Sequence, residues 1–221
     1  PTPTAMVITS WNDAPPPAEA AGIEIDFPKP EVLAPPLITL AGAQAGYEPG
    51  KPVLKGLDLR LDPDDRIALL GANGNGKTTF AKLLAGELAP MAGEVRRAPK
   101  LAVGYFAQHQ IDTLEADESA FQQLSRLMAK AEPHRVRARL GAFGFSGDKA
   151  DVVADNLSGG EKARLNLALI SHGVPQILVL DEPTNHLDLE TRDALVEALN
   201  GFPGAVVVIS HDWDLLELTA E

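Results

Sequence analysis

The chain has 221 residues, 45% of them hydrophobic, which suits one sizeable globular core with a subdomain and excludes disorder throughout. Its 19 basic and 31 acidic residues give a formal net charge of −12, which argues against a broad nucleic-acid contact and leaves room only for a local basic patch. The lack of cysteine excludes a disulfide framework and suits a reducing cytoplasm, and no run approaches the roughly 20 apolar residues of a membrane span.

The first 36 residues are rich in proline and hold nine of the 18 prolines of the chain. Proline at this density does not permit a regular helix or a central strand, so residues 1–36 are predicted to be a linker or tail. Ile23, Ile25 and Phe27 alternate with polar residues, and the alternative is a short strand lying against the domain.

Residues 37–221 are predicted to form the folded domain. Two alternating runs, residues 36–47 and 53–61, predict antiparallel strands with one solvated face. Further strands are predicted at 66–71, 100–108, 176–182 and 205–210, and helices at 76–87, 119–143, 157–170, 189–200 and from 212. The alternation of buried strands and helices predicts a mostly parallel α/β sheet, and residues of about 112–157 are predicted to form a small helical subdomain.

A glycine-rich loop, GANGNGKTT, joins a predicted strand to a predicted helix. This pattern is typical of a phosphate-binding loop, in which glycines take left-handed backbone angles and bare N–H groups hold phosphate oxygens. Lys77 is expected to reach the β- and γ-phosphates, and the Thr78 hydroxyl is expected to ligate Mg²⁺. The flanking strand and helix weaken the alternative, a glycine turn that binds nothing. The predicted nucleotide-binding residues here are Gly71, Ala72, Asn73, Gly74, Asn75, Gly76, Lys77, Thr78 and Thr79.

Two adjacent carboxylates, Asp181 and Glu182, follow an apolar predicted strand in QILVLDEPTNHLD. Open α/β sheets bind ligands at this end of their strands, and paired carboxylates there require a nearby cation. With Mg²⁺ on the phosphates, Asp181 is expected to hold the metal and Glu182 to orient and deprotonate the attacking water. The alternative is an exposed acidic turn before Pro183.

The run LSGGEKARLNLALI, residues 157–170, combines a helix cap with two glycines. Ser158 and Glu161 have the spacing of a capping box, but Gly159 and Gly160 cost chain entropy that an ordinary cap does not require. Their bare N–H groups at a helix N-terminus predict a second anion site.

These motifs, in this order, make residues 37 to about 218 resemble the nucleotide-binding domain of an ATP-binding-cassette (ABC) protein. The resemblance implies an α/β P-loop NTPase fold with a mostly parallel core sheet, an antiparallel β layer and a small helical subdomain. It implies Mg²⁺-dependent hydrolysis of ATP in a sandwich dimer, in which Ser158, Gly159 and Gly160 close over the γ-phosphate held by the opposite cassette. It assigns catalysis to Lys77, Gln108, Glu182 and His211, and metal ligation to Thr78, Gln108 and Asp181.

Four positions take their roles from the resemblance alone. Tyr47 is similar to the aromatic residue that stacks on adenine, and Gln108 to the glutamine that contacts Mg²⁺ and the attacking water. Asp188 is similar to the loop aspartate that communicates with the partner site, and His211 to the histidine that touches the γ-phosphate. The plainer alternatives are a core-packing tyrosine, a solvated glutamine, an aspartate capping the helix near Leu189, and a satisfied buried histidine.

The segment EPTNHLD resembles the soluble F-type (ABC-F) branch, whose members carry two cassettes in one chain, lack membrane domains and act on ribosomes. The proline-rich lead-in resembles the end of the linker between those cassettes. The chain is therefore expected to be an excised C-terminal cassette of a cytoplasmic protein, truncated at its C-terminal edge after Glu221. Its expected partners are the N-terminal cassette of the same parent chain or a second copy, and the ribosome. Trp213 and Asp214 depart from the F-type pattern of arginine and an aromatic residue after the histidine.

Three functions are compatible with these motifs. The first is an F-type ATPase that couples closure of two cassettes to a ribosomal or other cytoplasmic partner. The second is the ATP-binding subunit of an ABC membrane transporter, and the third is a nucleotide-dependent switch that hydrolyses ATP slowly. Glu182 and His211 are both present, which disfavours the third, and EPTNHLD with the proline-rich lead-in favours the first over the second.

Overall fold

The structure is a computed structural model that describes residues 7–10, 25–71, 74–107, 113–185 and 187–210, with residues 7–10 described by their backbone alone. Within these ranges the strands are β1 (Val7–Ser10), β2 (Ile38–Ala45), β3 (Leu54–Leu61), β4 (Arg66–Leu70), β5 (Ala92–Arg97), β6 (Val103–Ala107), β7 (Ile177–Asp181) and β8 (Ala205–Ile209). The helices there are α1 (Lys77–Ala85), α2 (Ala120–Leu127), α3 (Pro133–Gly141), α4 (Gly159–Ser171) and α5 (Leu189–Gly201).

The strands form two sheets. The core sheet has the order β1-β4-β8-β7-β6, and its four strands from β4 to β6 run parallel. The second sheet has the order β3-β2-β5 and is antiparallel. A short 3-10 turn at Gly147–Asp151 packs with α2 and α3, and a second at Ala154–Asn156 lies near the start of α2, where the Ala154 amide donates to the Glu118 carbonyl oxygen; residues 113–156, with these turns and helices, are called the helical segment below. The predicted fold class, a parallel core sheet with an antiparallel layer, is confirmed.

Strand β7 shows how the core fixes the position of the site. All five of its residues are buried. Ile177 and Val179 join the apolar cluster of the antiparallel sheet and α1, whereas Leu178 and Leu180 join the cluster of α2 to α5. Because β7 is packed on both faces, it holds the residues at its carboxyl end in a fixed position. No helix of the described residues has both the length and the apolar character to cross a membrane.

Residues 25–34 of the proline-rich lead-in include side chains that pack against the residues that follow. Residues 25–34 form no strand, but Ile25 and Phe27 are buried, and the Phe27 ring meets Phe143 and Phe202 edge-on at centroid distances of 5.7 and 5.8 Å. Their burial agrees with the alternative that this run lies against the domain, but the prolines around it leave it without regular structure. Strand β1 lies earlier in the same lead-in and pairs antiparallel with β4 at the sheet edge, where a proline-rich neighbourhood is tolerated.

Strand β5 also lies outside the predicted elements. Its side chains are exposed or half-exposed throughout, so it carries no alternation of buried and solvated positions. Pairing with β2 creates the strand, and Gly93 makes a close approach possible, since a β-carbon there would lie 2.3 Å from the Gly42 carbonyl oxygen. Tertiary pairing, rather than local pattern, determines this element.

Candidate functional site

The glycine-rich loop lies between the end of β4 and the start of α1. Gly74 and Gly76 both have a φ of +84°, and Gly76 is the N-cap of α1. The left-handed backbone favours glycine at position 76, and a β-carbon there would also lie 2.7 Å from a terminal methyl of Leu54, which would have to shift. The loop therefore presents bare backbone at a helix N-terminus, as predicted for a phosphate site. Ala72 and Asn73 lie outside the described residues.

The Lys77 side chain lies over this loop, with Nζ donating to the Gly71 carbonyl oxygen at 2.5 Å. The residue is only 7% exposed. Burial lowers the pKa of Lys77, and the nearby carboxylates of Glu182 and Asp181 oppose that shift. A desolvated ammonium beside the bare loop is well placed to bind a phosphate oxygen.

The Thr78 hydroxyl and the Asp181 carboxylate meet between α1 and β7. Thr78 Oγ1 donates to Asp181 Oδ2 at 2.7 Å, and Asp181 is buried. A hydroxyl and a carboxylate are the hard oxygen donors that Mg²⁺ prefers. No cluster of three or more histidine, cysteine, aspartate or glutamate side chains occurs in the described ranges, so phosphates and water would have to complete a metal site here.

Glu182 follows Asp181 in a strained backbone conformation. Its φ is +53°, a left-handed value that is uncommon for any residue other than glycine. Its amide N–H donates to the carbonyl oxygen of Ile209, the last residue of β8, at 2.8 Å. This hydrogen bond to β8 stabilises the turn at Glu182, where the chain leaves β7. Backbone strain of this kind clusters at functional sites.

Tyr47 lies beside α1 with its ring accessible. The residue is 58% exposed, which rules out the alternative of a tyrosine closing a strand against the core. Thr79 Oγ1 donates to the Tyr47 hydroxyl at 3.4 Å, and Lys82 Nζ lies 5.8 Å from the ring centroid. An exposed aromatic face near the phosphate loop is available for stacking against a base.

The predicted capping box at the start of α4 is confirmed. The Ser158 side chain accepts from the Glu161 amide at 3.3 Å, and the Ser158 amide donates to Glu161 Oε2 at 2.9 Å. Lys149 Nζ lies 2.9 Å from Glu161 Oε1. The hydrogen bond from Lys149, followed by that from the Ser158 amide, lowers the pKa of Glu161 to about 2. The helix start is therefore ordered and its carboxylate is neutralised by a lysine of the helical segment.

Asp188 caps α5, and it lies against the start of α4. Its Oδ1 accepts from the Thr191 amide at 2.8 Å, which confirms the capping alternative. Hydrogen bonds from Thr191 lower the pKa of Asp188. A β-carbon on Gly160 would lie 3.3 Å from Asp188 Oδ2, so the bare backbone at 160 lets the two segments approach.

The predicted residues thus form two sets in the described part of the chain. One set surrounds the glycine-rich loop and contains Tyr47, Gly71, Gly74, Asn75, Gly76, Lys77, Thr78, Thr79, Asp181 and Glu182. The other joins the start of α4 to the start of α5 and contains Ser158, Gly159, Gly160 and Asp188. Gln108 and His211 lie outside the described residues. Sequence reasoning missed Lys149, Arg164 and Thr191, although the four-residue spacing of Gly160 and Arg164 places them on one helix face.

Comparison with known families and relatives agrees with this arrangement. The family model described as ABC transporter matches residues 54–185. The chain is 52% identical over 195 residues to the probable ATP-binding protein YheS of Escherichia coli K12, covering 88% of the chain and 30% of that protein. It is 41% identical over 202 residues to Protein GCN20 of Saccharomyces cerevisiae, covering 91% of the chain and 27% of that protein. A probable ATP-binding cassette sub-family F member 3 homolog of Encephalitozoon cuniculi is 48% identical over 176 residues, covering 80% of the chain and 31% of the relative.

Two solved structures share the fold. A bacterial Atm1-family ABC exporter with ATP bound has a TM-score of 0.70 at 22% identity, covering 87% of this chain and 38% of the exporter chain. The ATP-binding cassette MJ0796, in a dimeric post-hydrolysis state with ADP and Pi, has a TM-score of 0.69 at 22% identity, covering 82% of this chain and 90% of that one. The chain spans 27–31% of the length of the three curated relatives above.

Proposed function

The chain belongs to the ABC transporter family as an ABC-type ATPase cassette, and from this premise we propose that it hydrolyses Mg-ATP between two cassettes. The observation that carries the proposal is the convergence of Lys77, Thr78 and the Asp181–Glu182 pair on one loop, with Thr78 and Asp181 in contact at 2.7 Å. Residues 37–221 are proposed as the cassette, with the helical subdomain inserted at about 112–157.

Binding of ATP is proposed to use the loop, the lysine and the exposed tyrosine. The bare N–H groups from Gly71 to Gly76 and the N-terminus of α1 would hold phosphate oxygens. Lys77 would leave the Gly71 carbonyl to bind the β- and γ-phosphates, exchanging a neutral acceptor for a charged one. Tyr47 would stack on the adenine base.

The Thr78 hydroxyl and Asp181 fit Mg²⁺, because both are oxygen donors and both face one point between α1 and β7. These two residues, with Gln108 from the family pattern, would hold the magnesium ion, which when bound would supply neutralisation of phosphate charge.

The chemical step we propose is in-line attack of water on the γ-phosphorus. Glu182 orients the water and accepts its proton as the new P–O bond forms and the bond to the bridging oxygen of ADP breaks. Lys77 stabilises the charge that develops on the transferred group and the leaving phosphate. His211 is proposed to contact the γ-phosphate, as the family pattern implies. The products are ADP and inorganic phosphate.

The second set of residues is proposed to contact the nucleotide that is bound to a partner cassette. Ser158 and Asp188 are exposed in this chain, and Gly159 and Gly160 provide bare N–H groups at the start of α4. We propose that this surface closes over ATP bound to a second cassette, either the N-terminal cassette of the same parent chain or a second copy. Each catalytic site would then need both cassettes.

Dependence of turnover on protein concentration tests the two-cassette site. Because half of each site comes from a partner, phosphate release per molecule by the isolated chain should be slow when dilute and should rise with concentration. The measurement is initial phosphate release over about two decades of protein concentration, with size-exclusion chromatography in ATP as a parallel assay of dimers. Fast turnover that stays constant per molecule on dilution would overturn the sandwich mechanism.

We propose further that the parent protein is a soluble ABC-F protein that acts on the ribosome in the cytoplasm. The EPTNHLD segment, the proline-rich lead-in and the relatives named as F-family members support this assignment. Since this chain has a net charge of −12, contacts with RNA are expected to come mainly from basic residues of the parent linker. The alternative is the ATP-binding subunit of an ABC membrane transporter.

Co-sedimentation of the full-length parent protein with ribosomes separates these two functions. A parent trapped in the ATP state should pellet with ribosomes through a sucrose cushion and should stay in the supernatant with ADP. The control is the same centrifugation without ribosomes. Failure to pellet, together with copurification of an integral membrane protein, would reject the F-type assignment while leaving ATP hydrolysis intact.

A further inference from the structure

A buried arginine in α4 lies outside the functional roles described so far. Arg164 is 3% exposed, and its Nη1 donates to the Thr191 hydroxyl oxygen at 2.7 Å. Its Nε has no hydrogen-bond partner among the residues that the structure describes. Burying a guanidinium carries a large desolvation penalty, so a position that keeps one usually serves more than packing.

Thr191 connects this arginine to the loop before α5. The residue is fully buried, and its hydroxyl both accepts from Arg164 and hydrogen-bonds to the Asp188 carboxylate. Its amide donates to Asp188 Oδ1 at 2.8 Å. A chain of hydrogen bonds therefore runs from the Arg164 guanidinium through Thr191 to the Asp188 carboxylate.

The same face of α4 brings its glycine start against Asp188. Gly160 precedes Arg164 by one helical turn, so the two lie on one face of the helix. A β-carbon on Gly160 would lie 3.3 Å from Asp188 Oδ2 and 3.7 Å from Thr191 Oγ1. The start of α4 and the Asp188 loop are thus joined at two points, one by close packing and one by the buried hydrogen bonds.

We infer that Arg164 and Thr191 are positioning residues that hold the LSGGE segment and the Asp188 loop together as one unit facing the partner's nucleotide. This inference rests on the two-cassette mechanism proposed above. Neither residue touches the nucleotide bound by its own chain; both act through Gly160 and Asp188. Loss of the connection should therefore impair hydrolysis at the partner's loop and leave ATP binding at the chain's own loop unchanged.

Two substitutions at Thr191 separate positioning from packing. Thr191→Val keeps the side-chain volume and the amide that caps α5 but removes the hydroxyl, and we expect kcat to fall about 10-fold or more. Thr191→Ser keeps the hydroxyl and should retain kcat within about twofold. The dissociation constant for ATP at low protein concentration should be the same for both variants and the unaltered chain. An unchanged kcat in Thr191→Val would overturn the inference.

Mixed dimers show in which site the defect acts. Thr191→Val is mixed with Glu182→Gln, whose LSGGE segment and Asp188 loop are intact but whose own loop lacks the base. With Glu182→Gln in large excess, nearly every Thr191→Val chain is in a mixed dimer, where its ATP faces an intact partner surface. Phosphate release should then match that of the unaltered chain in the same excess of Glu182→Gln. Release that stays at the level of Thr191→Val alone would place the defect in its own site and would overturn the inference.

Folding and the underlying mechanism are checked separately. Thr191→Val should unfold in urea in one cooperative transition, as a folded chain does. If it does not, Arg164→Lys is the second variant. Arg164→Lys should show the same fall in kcat and the same restoration of phosphate release in mixed dimers. If the unaltered chain turns over ATP independently of concentration, the two-cassette mechanism itself fails. That result is distinguishable from a failure of Arg164 and Thr191 as positioning residues, which leaves concentration dependence in place.

Discussion

Glu182→Gln should lower ATP turnover by roughly 10²–10⁴-fold, the usual contribution of a positioned general base. Glutamine has nearly the same shape, so the left-handed backbone at this position and the hydrogen bond from its amide to Ile209 should persist. The side chain, however, can no longer accept the proton of the attacking water. ATP should still bind, because Lys77 and the glycine loop are unaltered. Single-turnover phosphate release and the dissociation constant of ATP measure the two effects.

The matched control is Glu197→Gln, which makes the same chemical change on the exposed face of α5. It should leave both turnover and ATP affinity unchanged. If Glu182→Gln retained turnover within about threefold of the unaltered chain, Glu182 would not be the base, and another group would have to orient the water.

Lys77→Ala should weaken ATP binding by about 10–100-fold, since each hydrogen bond to a charged group is worth about 1.5–3 kcal/mol. The structure gives a second reason for a large effect. The ammonium lies near the carboxylates of Asp181 and Glu182, and without it these carboxylates would repel the phosphates. Turnover should fall further than affinity, because the lysine also stabilises charge in the transition state.

Titration with a fluorescent ATP analogue in the presence of Mg²⁺ measures the affinity, and phosphate release at saturating ATP measures turnover. Lys130→Ala is the control, because it removes an exposed lysine of the helical segment and should change neither quantity. Unaltered ATP affinity in Lys77→Ala would mean that the phosphates are bound elsewhere in the chain.

The parts of the fold that could be predicted are those in which local pattern and tertiary packing agree. The continuous apolar run of β7 is buried on both faces, and the glycine loop and the capping box at Ser158 have sequence patterns fixed by backbone geometry. Strand β5 could not be predicted, because pairing with β2, and not an apolar face, creates it. The alternation at Ile25 and Phe27 indicated that they could lie against the domain, but the surrounding prolines favoured a linker, and residues 25–34 form no strand.

The residues of the site also divide into those that the sequence could predict and those that it could not. Lys77, Thr78 and the Asp181–Glu182 pair follow from chemistry tied to adjacent sequence, so their convergence was predicted. The hydrogen bond from Arg164 to Thr191 joins two helices that are distant along the chain, and a single sequence holds no signal for such a contact. The pair Gly159 and Gly160 indicated that α4 carries more than a cap, and the helix face shared by Gly160 and Arg164 was a further local sign.

The hydrogen bond between Thr78 and Asp181 has a consequence for the energetics of catalysis. It ties the first turn of α1 to the end of β7 and keeps the two oxygens 2.7 Å apart. A cation bound by the Thr78 hydroxyl oxygen and the Asp181 carboxylate would find both oxygens already close together, so its binding would need little reorganisation of helix or strand. Under the proposed two-cassette mechanism, more of the binding energy of the nucleotide would then remain available for bringing the two cassettes together.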